Sequence, residues 1–123
     1  MRRLTTVLLS FVILPGVALA GSPRKIPSPP QLDGRVTVKA ATWLKRPSRP
    51  TVVKILATRW YTLTVRDDSK RQNFHLVGPG VNKKTTIGFS GIAIWGAHLR
   101  PGTYRYGSDR STGHWHSFRV VRG

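Results

Sequence analysis

The amino-acid sequence predicts an all-β protein, a sandwich or barrel of short strands. Three observations carry that reading. Apolar and β-branched residues alternate with polar ones, as in Val36-Thr37-Val38-Lys39-Ala40 and Tyr61-Thr62-Leu63-Thr64-Val65, the period of a strand with one buried face. Turn signals separate the runs at Asp67-Asp68-Ser69, Gly78-Pro79-Gly80, Ser90-Gly91 and Arg100-Pro101-Gly102, where Gly, Pro and Asp favour reversal of the chain. No window holds an apolar stripe at the 3.6-residue period of a helix. The 123 residues suit one domain rather than two. A hydrophobic fraction of 39% is too high for a wholly disordered basic tail.

Residues 1–20 read as a secretory signal peptide. Arg2 and Arg3 supply the positive start, and Leu4 to Leu14 is an apolar run interrupted by Thr5, Thr6 and Ser10. Pro15-Gly16 ends it, and Ala18-Leu19-Ala20 is a small-residue cleavage box. The run is too short to span a bilayer, which takes about 20 apolar residues. Cleavage after Ala20 implies a secreted or periplasmic protein, and loss of Arg2 and Arg3 lowers its charge from +17 to +15. Residues 21–34 form a Pro-rich leader, expected to be flexible, with Pro23, Pro27, Pro29 and Pro30. Residues 35–123 are the β domain. Its expected strands lie around Val36–Ala40, Trp60–Val65, Phe74–Leu76, Thr85–Phe89, Ile92–Ala97, Tyr104–Tyr106 and Phe118–Val121, and Pro47 and Pro50 bracket a further turn.

Composition excludes much chemistry. There is no Cys, no Glu, and only 4 acids, all Asp. Disulfides, thiolate metal clusters, cysteine nucleophiles and Glu-dependent acid–base catalysis are therefore ruled out. Asp67 and Asp68 are adjacent, so on a strand they face opposite sides; in a turn they cap backbone N–H groups. Ser108, His75 and Asp109 lack the nucleophile elbow that a hydrolytic triad needs. Gly78-Pro79-Gly80 precedes no helix and is a turn, not a phosphate loop. The protein is not expected to be an enzyme.

Histidines offer the sharpest chemical possibility. His114 and His116 sit two apart and share a face if that segment is a strand. With His75 they form a candidate site for Cu(II) or Zn(II), metals that imidazole suits. His98, beside a Pro-Gly turn, is expected to be solvated.

Tyr61 to Ser69, Asn73-Phe74-His75-Leu76-Val77-Gly78-Pro79-Gly80-Val81, Gly91 to Trp95, Leu99-Arg100-Pro101-Gly102-Thr103-Tyr104-Arg105-Tyr106 and Ser117 to Val120 together resemble the cupredoxins, the small blue-copper proteins of plastocyanin and azurin type. The resemblance is strong from Tyr61 to Val120 and loose from Val36 to Ile55. It implies a cupredoxin-like Greek-key β-sandwich of about seven to eight strands, with copper held at one end for electron transfer. Carried over residue by residue, the first ligand falls on His75, the thiolate position on Ser108, the second imidazole on Ser111 and the axial position on His114. A type 1 centre needs two His and one Cys, so Ser108 and Ser111 are degenerate ligand positions. The resemblance thus leaves copper as the implied cofactor and removes the residues that would hold it. The expectation is a non-enzymatic structural or binding module without a resident metal, the alternative being a harder metal site at His75, His114 and His116.

Charge points to partners. Clusters at Lys45, Arg46 and Arg49, at Lys70 and Arg71, and at Lys83 and Lys84 mark candidate polyanion-binding residues. Anionic cell-surface polymers, anionic lipid headgroups and extracellular DNA are the expected classes of partner. Four Trp residues, Trp43, Trp60, Trp95 and Trp115, are expected mostly in the core.

Overall fold

The computed structural model describes residues 26–123. The expected signal peptide and the start of the expected leader lie outside the described residues. The chain runs through β1 (Gln31–Val36), β2 (Trp43–Arg46), β3 (Arg49–Val52), β4 (Ile55–Ala57), β5 (Arg59–Asp67), β6 (His75–Gly78), β7 (Val81–Lys84), β8 (Gly91–Leu99), β9 (Gly102–Gly107) and β10 (His116–Val121), with one 3₁₀ turn at Thr112–His114. The ten strands form two five-stranded sheets, ordered β3-β2-β1-β5-β8 and β4-β10-β9-β6-β7. Both sheets are mixed, because β1 runs parallel to β5 and β10 parallel to β4. The protein is an all-β sandwich, as expected. No helix among the described residues is long and apolar enough to cross a membrane.

Alternation decides what is buried. On β5, Tyr61, Leu63 and Val65 face inward, while Trp60 and Arg66 face solvent. Leu32, Leu44, Ala97 and Leu99 join them from the same sheet, and Leu56, Leu76, Tyr104, Tyr106, Phe118 and Val120 oppose them from the other. Tyr104 stacks on Phe118 at 5.3 Å and Tyr106 on Phe74 at 5.7 Å. Each tyrosine hydroxyl is also satisfied: that of Tyr106 accepts from Leu44 N at 3.1 Å, and that of Tyr104 accepts from Arg100 N at 2.8 Å. A buried phenol without such a partner would cost the desolvation of its hydroxyl.

Several expectations need correction. Ten strands replace the expected seven to eight, because the region from Trp43 to Ala57 contributes three strands of only 3–4 residues. Runs that short carry almost no period-two signal. The domain begins at Gln31 rather than at residue 35, since the expected leader's end pairs with β5 from Gln31↔Thr62 onward. Val36–Ala40 is not a strand: β1 ends at Val36, and Val38 is 63% exposed. Asp68 N takes the Val36 carbonyl, and Thr42 N turns back to Arg35 O. Thr85–Phe89 is likewise a connection. The Thr85 hydroxyl is tied to Asp67 and to Phe74 N, and Gly88 has a positive φ of 101°. Of the four Trp only Trp95 packs against the core, from the inward side of β8; Trp60 is 61% exposed, and Trp43 and Trp115 are half-buried outside the core cluster.

Candidate functional site

Three of the expected ligand positions, His75, Ser108 and Ser111, gather at one end of the sandwich, where β9 leaves for the 3₁₀ turn and β6 begins. They gather as a hydrogen-bond network. Ser108 is fully buried; its hydroxyl donates to Gln72 Oε1 and accepts from Asn73 N at 3.3 Å and Arg110 N at 3.2 Å. Ser111 Oγ donates to the same Gln72 oxygen at 3.3 Å. Asn73 is buried beside them. Its amide donates to Asp109 Oδ2 at 2.8 Å and Thr85 O at 3.1 Å, and its oxygen accepts from Asp109 N at 2.8 Å. Trp115 closes the end: its indole N–H donates to Ser108 O at 2.9 Å. The ring lies against Gly107, where a Cβ would stand 2.5 Å from Trp115 Cγ. Only glycine admits that contact without displacing the indole.

His75 is held from both sides. Its Nδ1 lies 2.7 Å from Asp109 Oδ1, and its Nε2 lies 2.6 Å from the side-chain amide of Asn82. Whichever way that amide is turned, Nε2 is engaged, donating to the amide oxygen or accepting from its NH2. Trp115 packs edge-on against the imidazole at 5.6 Å. His116 points elsewhere: its Nε2 donates to Ala41 O at 3.0 Å and its ring sits 5.3 Å from Tyr106. His114 is exposed on the 3₁₀ turn and shares with His116 and Lys39 a shallow groove of about 790 Å³ that does not include His75. The three histidines are thus not brought together. Among the described residues, no group of three or more His, Cys, Asp or Glu could hold a metal.

These residues do not fit a blue-copper ion. The thiolate position holds a saturated, buried hydroxyl, the second imidazole position holds a hydroxyl bonded to Gln72, and the one histidine at its expected place has both nitrogens engaged. The carboxylates follow the same logic. Burial would raise Asp109, but the bonds from His75 and Asn73, with the positive charge near it at Lys84, outweigh that and hold it below the ordinary range. Asp67, buried under the same end, is raised by burial against the opposing bonds from Ser69 and Thr85.

The expected polyanion residues are scattered, with one exception. Lys45 lies over the Trp43 ring at 4.3 Å on the outer face of its sheet. Lys70 and Arg71 follow β5 beside the His75 end, and Lys83 and Lys84 occupy the edge strand β7. Arg46 and Arg49 alone converge. They are register partners across the Pro47-Ser48 turn, and with Arg59 they line a cleft of about 480 Å³ at the opposite end of the sandwich. The cleft exists because β1 starts only opposite Thr62, so β5 extends past it from Arg59. The result is a notch in the sheet, walled by the β2–β3 hairpin on one side and β5 on the other, with Tyr61 and Gln31 also in its lining. No lining residue is acidic. Arg59 and Tyr61 were not legible as members of this site, because nothing in sequence joins residue 59 to residues 46 and 49; only the short β1 between them does.

No protein-family model matches the chain, and no curated protein matches it.

Proposed function

We propose that the protein is an exported, non-enzymatic binding domain of cupredoxin-like type that carries no resident metal and attaches to anionic polymers outside the cytoplasm. The observation that carries the reading is uncompensated charge. With 21 Lys and Arg against 4 Asp, the only guanidinium–carboxylate pairs among the described residues are those of Arg35 and Arg66 to the single Asp68. Asp67 and Asp109 are spent on internal hydrogen bonds. Most of the remaining cations among the described residues are exposed, and such a field draws polyanions by releasing their counterions. The sequence resemblance to cupredoxins supports the scaffold, and the sealed His75–Ser108 end supports the absence of metal.

Binding of the exported form to duplex DNA and to a polyanionic cell-wall polymer tests this, measured across a salt series. Affinity should fall steeply, with a log–log slope near −0.9 per phosphate neutralised and no preference between DNA sequences. Salt-independent binding, selection of one sequence, or no binding at low salt would overturn the reading. Titration with Cu(II) should show no stoichiometric site and no intense visible band.

A further inference from the structure

The notch at the hairpin end has a feature that generic surface charge does not explain. Arg46 and Arg49 are directly opposed across the Pro47-Ser48 turn. Directly opposed residues of an antiparallel pair have their Cβ atoms about 5 Å apart, and like charges there are destabilising. A third guanidinium, Arg59, lines the same concavity and no acid offsets the three. Arg46 is half-buried, which sharpens the repulsion by removing water. The fold holds three mutually repelling cations around one space, and a bound anion would relieve that repulsion.

From this geometry we infer that the notch is a binding site for a phosphomonoester dianion, seated between the Arg46–Arg49 pair and Arg59. Planar guanidinium forks from two walls, Arg46 and Arg49 of the hairpin facing Arg59 of β5, suit a tetrahedral group with three strong acceptor oxygens. A planar carboxylate is saturated by a single fork, and a phosphodiester offers one charge and two free oxygens. The notch holds about 480 Å³, room for the head group and part of the alcohol that bears it. Pro30 and Pro47 stiffen the rim. Tyr61 in the lining is already satisfied, its hydroxyl donating to Ala57 O at 2.7 Å; among the described residues the guanidinium N–H groups and the Ser48 hydroxyl are the lining donors without a partner. The site does not depend on polymer attachment, which draws on the whole surface.

Calorimetric titration with inorganic phosphate, a sugar phosphate and dimethyl phosphate at low ionic strength tests the site. One saturable equivalent is expected for the two dianions, with dimethyl phosphate weaker by about tenfold or more. Affinity for the sugar phosphate should fall as pH drops from about 7.5 to about 5, across the second pKa of a phosphomonoester near 6, since arginine does not titrate there. Arg46→Gln with Arg49→Gln, and separately Arg59→Gln, should each weaken phosphate by about tenfold or more. Lys70→Gln with Arg71→Gln removes the same charge at the other end and should leave phosphate affinity unchanged. Vesicles containing phosphatidate, compared with phosphatidylglycerol, locate the source. Capture by phosphatidate alone, lost in the Arg46/Arg49 variant, means a lipid headgroup; phosphate binding without such capture means a soluble ester. Absence of a saturable phosphate site, full affinity in the notch variants, or equal loss in the Lys70/Arg71 control would overturn the inference. Polymer binding that survives while phosphate binding is absent would sink this site alone; the reverse would sink the polymer reading alone.

Discussion

The two ends of the sandwich are built on opposite principles. At the His75 end the polar side chains of the network consume one another: Ser108, Asn73, Asp109 and His75 are joined by hydrogen bonds, and Trp115 seals them. At the hairpin end three arginines face a common space with no carboxylate among them. The difference shows which end is spent on stability and which is left with unsatisfied affinity. A buried polar network is worth most when complete, and completing it removes the donors and lone pairs a ligand would need. A cluster of like charges costs stability, and keeps its donors.

Disrupting the sealed end should have the largest effect. Asn73→Ala strips four side-chain hydrogen bonds, those to Thr85 O and Asp109 Oδ2 and those from Asp109 N and the Ser108 hydroxyl, and should cost about 3 kcal/mol, read as a lowered denaturation midpoint in urea. Ser48→Ala, on the hairpin turn, should change that midpoint hardly at all. A loss of similar size from both variants would erase the contrast between the ends.

Gly107→Ala should come next. The added methyl meets the Trp115 ring, so the indole must move, at about 1–3 kcal/mol. Tryptophan fluorescence should shift as its N–H leaves Ser108 O. The same network predicts that Ser108→Cys with Ser111→His stays colourless with Cu(II), because Asp109 and Asn82 still hold both nitrogens of His75. An intense visible charge-transfer band in that variant would show that the end yields to a metal.

The pH dependence separates the two carboxylates of the sealed end. Asp109 is held below its ordinary range in the fold. Its contribution is therefore present above the ordinary aspartate pKa of about 4 and is lost as pH falls through the lowered value. Asp67 is raised, so its sign is opposite: that contribution is full at acid pH and lost as pH rises through the raised value. Asp109→Asn should be less stable than the parent at neutral pH, and the gap should close on acidification. A gap that widened with acid would reverse the assignment.

The smallest effect is expected at the hairpin end, with the opposite sign. Arg46→Gln with Arg49→Gln relieves a like-charge pair and should raise stability by about 0.5 kcal/mol at low salt. The gain should vanish near 1 M salt, where screening reaches about 3 Å. A destabilised double variant would mean that these arginines contribute packing the notch depends on.

Legibility differed by element. The strand at Arg59–Asp67 was plain in sequence because its nine residues alternate under a one-sided burial. The hairpin strands β2 and β3 were not, since Pro47 and Pro50 read as loop and neither strand exceeds four residues. The candidate metal residues were named from spacing and resemblance, yet spacing could not say that His116 turns to Ala41 while His75 turns to Asp109. Gln72 and Asn82 carried no signal at all, because an amide in a loop or on an edge strand looks like any solvated residue until its partner is placed.

By itself the sequence determined the all-β class, the inward set of β5, the absence of any thiolate and the excess of positive charge, since these rest on composition and on a local period of two. Only the tertiary structure decided that Ser108 is a cross-link, that His75 has no free nitrogen and that Arg59 joins Arg46 and Arg49. Each of those depends on contacts between residues far apart in the chain. Such contacts are set by which strands lie side by side and by where one strand stops short of its neighbour, and no local pattern of residue types encodes that.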